Sequence, residues 1–284
     1  MANTEEKYIY AQMTWPEIGR VVAEDRVAVI PIGTLEDHGL HLPIDTDVKI
    51  IDAICSAACS RVSEKVVLLP VVTHGYSPHH ADFPGSINIR WNVFVEHLLD
   101  ITRSLVGHGF RRFILANGHG SNMPLVDMAA RLTIIEHPDS IACDYIYLMT
   151  PQATKVLNSV RESEFPGGIS HACELETSIY LHLDPSLVQM DKAEKDISFP
   201  PSDYFYFDWI QGGPGSMMEY WSTLSRTGTM GDPTLATAKK GEILFDAAVT
   251  ELVAVIEEMK ARPIRPRIDH HGPVRPAASA EAAR

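Results

Sequence analysis

The order of apolar strands and amphipathic helices constrains the fold of this chain more than any other feature. Short β-branched runs alternate with helical segments, which is the pattern of a parallel sheet whose crossover connections are helices. The predicted strands are Val27–Ile32, Val66–Val72, Arg112–Ala116 and Ile141–Leu148. The predicted helices that connect them are Asp47–Val62, Trp91–Gly107 and Pro124–Glu136. We therefore expect an α/β fold with three αβα layers and a mostly parallel central sheet.

The second half of the chain is less regular. His171–Leu183 is predicted to be a helix, and Pro233–Met259 a long final helix. Between them, residues 186–226 form an irregular, aromatic-rich excursion, which we interpret as a lid, a subunit contact or a surface insertion. We assign residues 1–260 to a single domain and residues 261–284, rich in Pro, Ala and Arg, to a C-terminal tail.

Polar clusters follow three of the predicted strands. Glu36 and His38 come after the first strand, and a loop rich in Gly, Pro and His spans residues 73–89 after the second. His119 lies in a Gly-His-Gly turn after the third, where small neighbours allow a ligand to approach the backbone closely. Ligands of parallel α/β sheets bind beyond the carboxyl ends of the strands, so these clusters are expected to meet at one rim.

Glu36, His38 and Asp47 are the predicted nucleus of a metal site. Side chains two apart on extended backbone point to the same side, so Glu36 and His38 can reach one point. Gly39 permits a turn that returns Asp47 to that point, as the candidate bridge between two ions. Carboxylates and an imidazole suit Zn²⁺ and its first-row neighbours. The alternative is that Asp45 or Asp47 caps the following helix and that the others are solvated loop residues.

A further constellation lies at His171, Glu174 and Glu176. On a helix, the i, i+3 spacing would place His171 and Glu174 on one face better than His171 and Glu176. Spacing does not choose between the two glutamates. The alternative for the unused one is a solvated residue in the first turn of the helix.

Charge and composition argue against several classes of partner. The formal net charge of −13 and the sequence pI near 5.4 argue against nucleic acid and anionic membranes, because phosphate binding needs clustered Lys and Arg. Met1–Glu6 lack the pattern of a signal peptide, and no apolar run approaches the roughly 18 to 20 residues of a membrane-spanning helix. The four cysteines show no Cys-x-x-Cys spacing, so we expect reduced thiols in a cytoplasmic protein.

Familiar catalytic motifs of other hydrolases and of nucleotide-binding proteins are missing. Ser121 is not part of a Gly-x-Ser-x-Gly elbow, because His119 stands two residues before it, and we reject a serine hydrolase. Neither a phosphate-binding Gly-x-x-x-x-Gly-Lys-[Ser/Thr] loop nor a Gly-x-Gly-x-x-Gly turn is present, so nucleotide binding has no support.

Taken together, the motifs resemble the creatininase (creatinine amidohydrolase) family of metal-dependent hydrolases. Pro31–Asp47 is similar nearly throughout to the family pattern Pro-x-Gly-Ser-x-Glu-Gln-His-Gly-Pro-His-Leu-Pro-x-x-Thr-Asp. Asn117–Asn122 resembles Asn-Gly-His-Gly-Gly-Asn, His171–Ser178 resembles His-Ala-Gly-x-x-Glu-Thr-Ser, and Gly231–Thr234 resembles the late Gly-Asp-Pro. These motifs follow the family's order and together span roughly residues 12–259. Several motifs in the same order are a far more specific signal than any one of them.

The resemblance implies a creatininase-like fold and a site for two divalent cations. The implied ligands are Glu36, Asp47 and His119 for one ion, and His38, Asp47 and Glu176 for the other. The family pattern thus selects Glu176 as the ligand. It also implies that Glu176 and His171 are catalytic residues, with His171 free to bind substrate or to shuttle a proton. Zn²⁺ is the expected metal, with Mn²⁺ and Fe²⁺ as alternatives. Two such cations about 3.5 to 4 Å apart can share a hydroxide and polarise a carbonyl.

Two departures from the family pattern concern the substrate. Creatininases carry Tyr-Glu after the turn histidine, where this chain has Gly120 and Ser121, so a metal-binding carboxylate is missing there. They also carry a tryptophan four residues before the later histidine, where this chain has Gly167. We therefore expect hydrolysis of a C–N amide-type bond in a small polar molecule, cyclic or open-chain, other than creatinine.

Three other functions fit the same motifs. Within the family, they are hydrolytic ring opening of a cyclic keto-polyol, as in its dehydro-inosose hydrolases, and deformylation of formylamino compounds. From a different class, the alternative is a non-catalytic small-molecule binding protein that kept the fold. The family is typically oligomeric, so the resemblance also implies a homo-oligomer, such as a hexamer, whereas the expectation of no nucleic-acid or membrane partner rests on the charge and composition above.

Overall fold

The computed structural model describes residues 7–272, so the predictions for Met1–Glu6 and for the end of the tail lie outside the described residues. Its central sheet has four parallel strands in the order β2-β1-β3-β4. Their bounds are Val27–Ile32 for β1, Val66–Leu68 for β2, Arg112–Asn117 for β3 and Ile141–Ile146 for β4. The predicted parallel sheet is confirmed.

Helices cover both faces of this sheet. In chain order they are α1 Trp15–Ala23, α2 Thr46–Arg61, α3 Trp91–Gly107, α4 Met123–Glu136, α5 Pro151–Val160, α6 Glu174–Leu183, α7 Trp221–Leu224 and α8 Ala238–Ala261. Residues of β1 alternate between the faces, because successive side chains of a strand point in opposite directions. Val27 and Val29 pack with α2, α5, α6 and α8, whereas Ala28 and Ile30 pack with α1, α3 and α4. The three αβα layers are therefore confirmed.

The segment around His171 corrects one prediction. His171 does not begin a helix: Ile169–His171 is a short strand, β5, that pairs antiparallel with β6, Met230–Gly231. Ala172 has a φ of 49°, and Cys173 is extended, so helical backbone begins only at Glu174. The cause is a pairing with a segment far along the chain, which local periodicity does not reveal.

Three other predicted boundaries were wrong. The strand predicted to reach Val72 ends at Leu68, because Pro70 has no N–H to donate to the ladder, although the Val72 amide still donates to Pro31. The strand predicted to reach Leu148 ends at Ile146. The last helix begins at Ala238, after a 3₁₀ turn that starts at Pro233, since the Thr237 side chain caps it by accepting the Lys240 amide.

Three helices, α1, α5 and α7, were not predicted, although the sequence carries the caps of the first two. Helix α1 begins with a capping box in which the Thr14 amide donates to Glu17 at 2.7 Å. Thr150 caps helix α5, and Pro151, whose φ is already that of a helix, occupies the first turn. Among residues 7–272, no helix has the length and apolar character that crossing a bilayer requires.

Candidate metal centre

The predicted rim of the sheet is where the site is built. Glu36 and His38 follow β1 and His119 follows β3, while Asp47 and Glu176 lie in the first turns of α2 and α6. All five side chains are buried, with exposed fractions between 0% and 5%. Gly39 has a φ of +67°, a left-handed conformation that glycine adopts without strain, and it makes the predicted turn between His38 and Asp47. The structure thus brings together every residue that was predicted as a ligand.

Asp47 lies between two sets of ligand atoms. Its Oδ1 is 3.3 Å from His38 Nε2, and its Oδ2 is 3.0 Å from His119 Nδ1. His119 Nδ1 is also 3.1 Å from Glu36 Oε1, and His38 Nε2 is 3.7 Å from Glu176 Oε1. One oxygen of Asp47 therefore faces each set, which is the arrangement that a carboxylate needs to bridge two ions.

The residues present fit divalent cations. Glu36 Oε1, His38 Nε2 and Asp47 Oδ2 are buried without a hydrogen-bond partner among the described residues. The other oxygen of Glu36 accepts a short hydrogen bond from Ser77, which fixes the carboxylate with Oε1 directed into the cluster. Burying unpaired polar atoms is costly, so a group that accepts their lone pairs is required. His38, Asp47 and Glu176 also offer ligand atoms that all lie within 4.8 Å of one another.

The electrostatics of the cluster demand positive charge. Burial alone would lower the pKa of His119, but the carboxylates of Glu36 and Asp47 outweigh it and raise that pKa to about 10. Burial opposes the charged form of His38 in the same way, and Asp47 and Glu176 raise its pKa well above the usual range. These buried carboxylates therefore favour a cation beside them, whether a proton or a metal.

Glu174 and Glu176 point to different places. Glu174 accepts a short hydrogen bond from the Lys240 ammonium group and another, 2.8 Å long, from the Ser163 amide. Glu176 faces His38 at the cluster. The position of Glu176, and not that of Glu174, fits the ligand role that spacing alone left open.

His171 lies beside the cluster at the end of β5. Its Nε2 is 2.8 Å from the carbonyl oxygen of Asp37, which can only accept, so Nε2 carries the proton in the neutral ring. This leaves a lone pair on Nδ1, which is 3.7 Å from Glu36 Oε1. The ring packs on His38 with 4.3 Å between centroids. His171 is thus held in one tautomer with a basic nitrogen at the site.

Four residues at the site were not predicted as site residues. Asp37 Oδ1 is 2.5 Å from His80 Nδ1. Burial raises the pKa of Asp37, but His171 and His80 outweigh this effect and lower that pKa to about 2. The rings of His79, His80 and His171 pack around Trp221. The sequence shows two adjacent histidines, His79 and His80, in the loop after β2, and this pair could have indicated further site residues. Nothing in the local sequence places them beside Glu36.

A cavity of about 410 Å³ opens onto the cluster. Asp47, His119, His171 and Glu176 form its floor. The excursion 186–226 supplies much of its wall through Phe207, Asp208, Trp209, Gly212, Ser216, Met218 and Trp221. No lysine or arginine lines it in the part of the chain that the structure describes. The site is therefore a mainly apolar chamber over a polar, acidic floor.

Sequence comparisons show which known proteins this chain is similar to. A family model described as creatininase, creatinine amidohydrolase, matches residues 11–256. A mycofactocin precursor peptide peptidase from Mycobacterium tuberculosis is 30% identical over 243 residues, which cover 83% of this chain and 86% of that protein. A creatinine amidohydrolase from Pseudomonas putida is 28% identical over 261 residues, covering 87% of this chain and 95% of that one. A 3-dehydro-scyllo-inosose hydrolase from Thermotoga maritima is 25% identical over 279 residues, with coverages of 89% and 84%.

Solved structures show the same likeness. A creatininase variant described as Zn–Zn type has a TM-score of 0.74 and 27% identity, covering 89% of this chain and 98% of that chain. A creatininase structure described as Mn has a TM-score of 0.75 at the same identity and coverage. The relatives with this architecture therefore include zinc and manganese forms.

Proposed function

The chain belongs to the creatininase family and is a hydrolytic enzyme, and from this premise we propose that it cleaves a C–N amide-type bond by metal-dependent hydrolysis. The observation that carries the proposal is Asp47, whose two oxygens each face a separate set of buried, unpaired ligand atoms. A non-catalytic binding protein would have no use for such a site.

Two divalent cations are proposed at the cluster. Glu36, Asp47 and His119 would hold one, and His38, Asp47 and Glu176 the other. When bound, such cations lower the pKa of water and polarise a carbonyl oxygen. Zn²⁺ is the proposed metal, with Mn²⁺ or Fe²⁺ as alternatives, because the mixed O/N ligand set accepts all three.

His171 is the proposed proton carrier. Its Nε2–H is held by the Asp37 carbonyl, so Nδ1 takes up a proton while the attacking water loses one, and returns it to the leaving nitrogen. The imidazolium so formed lies 3.7 Å from Glu36 Oε1, which stabilises its charge. Glu176 keeps its carboxylate ionised beside His38, because that neighbour lowers its pKa against the effect of burial.

The cavity favours an amide over a polyol. Most of the exposed lining is apolar and includes Met123, Met149 and Phe207, which suits the apolar substituent of an amide better than the many hydroxyl groups of a keto-inositol. The absence of lysine and arginine from the described lining disfavours substrates with a phosphate. We propose a small uncharged amide, cyclic or at the end of a short peptide, and not creatinine.

Substrate panels and metal removal test this function together. We expect the metal-loaded enzyme to hydrolyse members of a panel of cyclic amides and short peptides, and to leave keto-inositols and phosphorylated formamides intact. Chelation should reduce the rate at least about 10³-fold, because metal stabilisation of the transition state amounts to several kcal/mol. Adding Zn²⁺ or Mn²⁺ should restore it. Turnover of keto-inositols alone would contradict the amide assignment.

The two glutamates of α6 provide a matched pair of variants. Glu176→Gln should lower the affinity for one of two ions and the hydrolysis rate at least about 100-fold, since the amide carries no negative charge. Glu174→Gln should leave both ions bound, because that side chain lies with Lys240 and not at the cluster. Metal analysis and steady-state kinetics of both variants would check this. Equal metal content in the two variants would contradict it.

We also propose a cytoplasmic homo-oligomer, such as a hexamer. The excursion 186–226 exposes large apolar side chains, among them Tyr204, Phe205, Met217 and Tyr220, and exposed apolar patches are typical of protein interfaces. The four cysteines, all among the described residues, are free thiols, as a reducing compartment requires. Light scattering should give a multiple of 31.4 kDa. A monomer at micromolar concentration would contradict the oligomer.

A further inference from the structure

His79 lies within reach of one of the two proposed cations. One ring nitrogen of His79, one of His119 and one carboxylate oxygen of Glu36 lie within 4.8 Å of one another. The rings of His79 and His119 are nearly parallel, with an interplanar angle of 19°. His79 is 5% exposed and borders the cavity. Its position is therefore that of an additional ligand beside Glu36 and His119.

The hydrogen bonding of His79 leaves one nitrogen unused. Nε2 is 3.0 Å from Ser121 Oγ, whereas Nδ1 is buried without a hydrogen-bond partner among the described residues. A metal-binding histidine usually donates its other ring N–H to a nearby acceptor, which fixes the tautomer and the orientation of the ring. The Ser121 hydroxyl can be that acceptor, and Nδ1 then presents a lone pair.

A purely structural histidine does not explain this arrangement. It would bury Nδ1 without a hydrogen-bond partner, which is unfavourable, beside carboxylates that need cations. Ring packing on Trp221 accounts for the shape of the site but not for the unpaired nitrogen.

We propose that His79 is a fourth ligand of the cation held by Glu36, Asp47 and His119, and that Ser121 orients its ring. This inference rests on the proposed dinuclear site. Its consequence is that the two cations have different numbers of protein ligands. The first ion has four protein ligands, which is typical of closed zinc sites, whereas the ion held by His38, Asp47 and Glu176 has three and keeps an open position. The substrate carbonyl would therefore bind at the second ion.

Cobalt binding to the metal-free full-length protein tests the proposal. Wild type should bind two Co²⁺ ions per chain. His79→Ala should weaken one dissociation constant at least about 10-fold and change the visible absorption of that Co²⁺ ion, while the other ion binds as before. Ser121→Ala, which removes only the orienting hydroxyl, should weaken the same constant by about 10-fold.

His74→Ala is the matched control, because His74 lies in the same loop, is exposed, and bonds only to Thr73 in the described structure. It should bind cobalt as wild type does. Wild-type constants and absorption in both His79→Ala and Ser121→Ala would overturn the role of His79 while leaving the dinuclear site intact. Fewer than two ions in wild type would instead overturn the proposed site itself.

Discussion

Asp47→Asn is expected to abolish binding of both cations at once. The change keeps the size of the side chain but removes the charge that faces His38 on one side and His119 on the other. Both ligand sets would then lack their shared carboxylate. We expect less than one bound ion per chain and a fall in hydrolysis of at least about 10³-fold, since each 1.4 kcal/mol of lost transition-state stabilisation is tenfold in rate.

Asp45→Asn is the control for this variant. Asp45 lies two residues earlier, at the cap of α2, and accepts a 2.9 Å hydrogen bond from the Tyr180 hydroxyl, which an asparagine oxygen also accepts. It should retain two ions and nearly full activity. Metal analysis of both variants after identical reconstitution is the measurement. Full metal content in Asp47→Asn would show that Asp47 only belongs to the polar start of the helix.

His171→Gln is expected to lower kcat by about 10² to 10⁴-fold while both ions stay bound. Glutamine can still donate to the Asp37 carbonyl, but it cannot take up a proton as Nδ1 does. The KM should change little, because the side chain acts on the proton and not on the metal. Steady-state kinetics with metal analysis of the same preparation would check both parts.

His182→Gln controls for the loss of an imidazole elsewhere. His182 is exposed on α6, where it packs on Phe245, and its replacement should leave kcat unchanged. Loss of an ion from His171→Gln would contradict the assignment and make His171 a ligand. An unchanged kcat with both ions present would remove His171 from the proton transfer.

The elements that were predicted correctly are those that depend on a local sequence pattern. The strand Val27–Ile32 and the helix Trp91–Gly107 have the predicted bounds, because each is a single run of one periodicity between clear breaks. The turn at Gly39 follows from one residue that adopts positive φ without strain. The strand-end argument predicted that Glu36, His38 and His119 meet at one rim, because parallel strands bring their carboxyl ends together, whereas Glu176 was selected only by the resemblance to the family pattern.

What depends on long-range contacts was not predicted. His171 was expected on a helix, but its strand exists only because Met230, far along the chain, pairs with it. His79 and His80 looked like two loop residues until the fold placed them beside Glu36. Trp221 is likewise assigned to the site only by its packing on those rings. Such packing leaves no periodic signal in any of the segments it joins.

Anomalous scattering from crystals of the metal-reconstituted enzyme tests the central claim most directly. Two peaks are predicted at the cluster, about 3.5 to 4 Å apart as in other two-metal sites, with one oxygen of Asp47 bound to each ion. Glu176 should bind the ion that also has His38. A single peak, or two peaks without Asp47 between them, would contradict the dinuclear account.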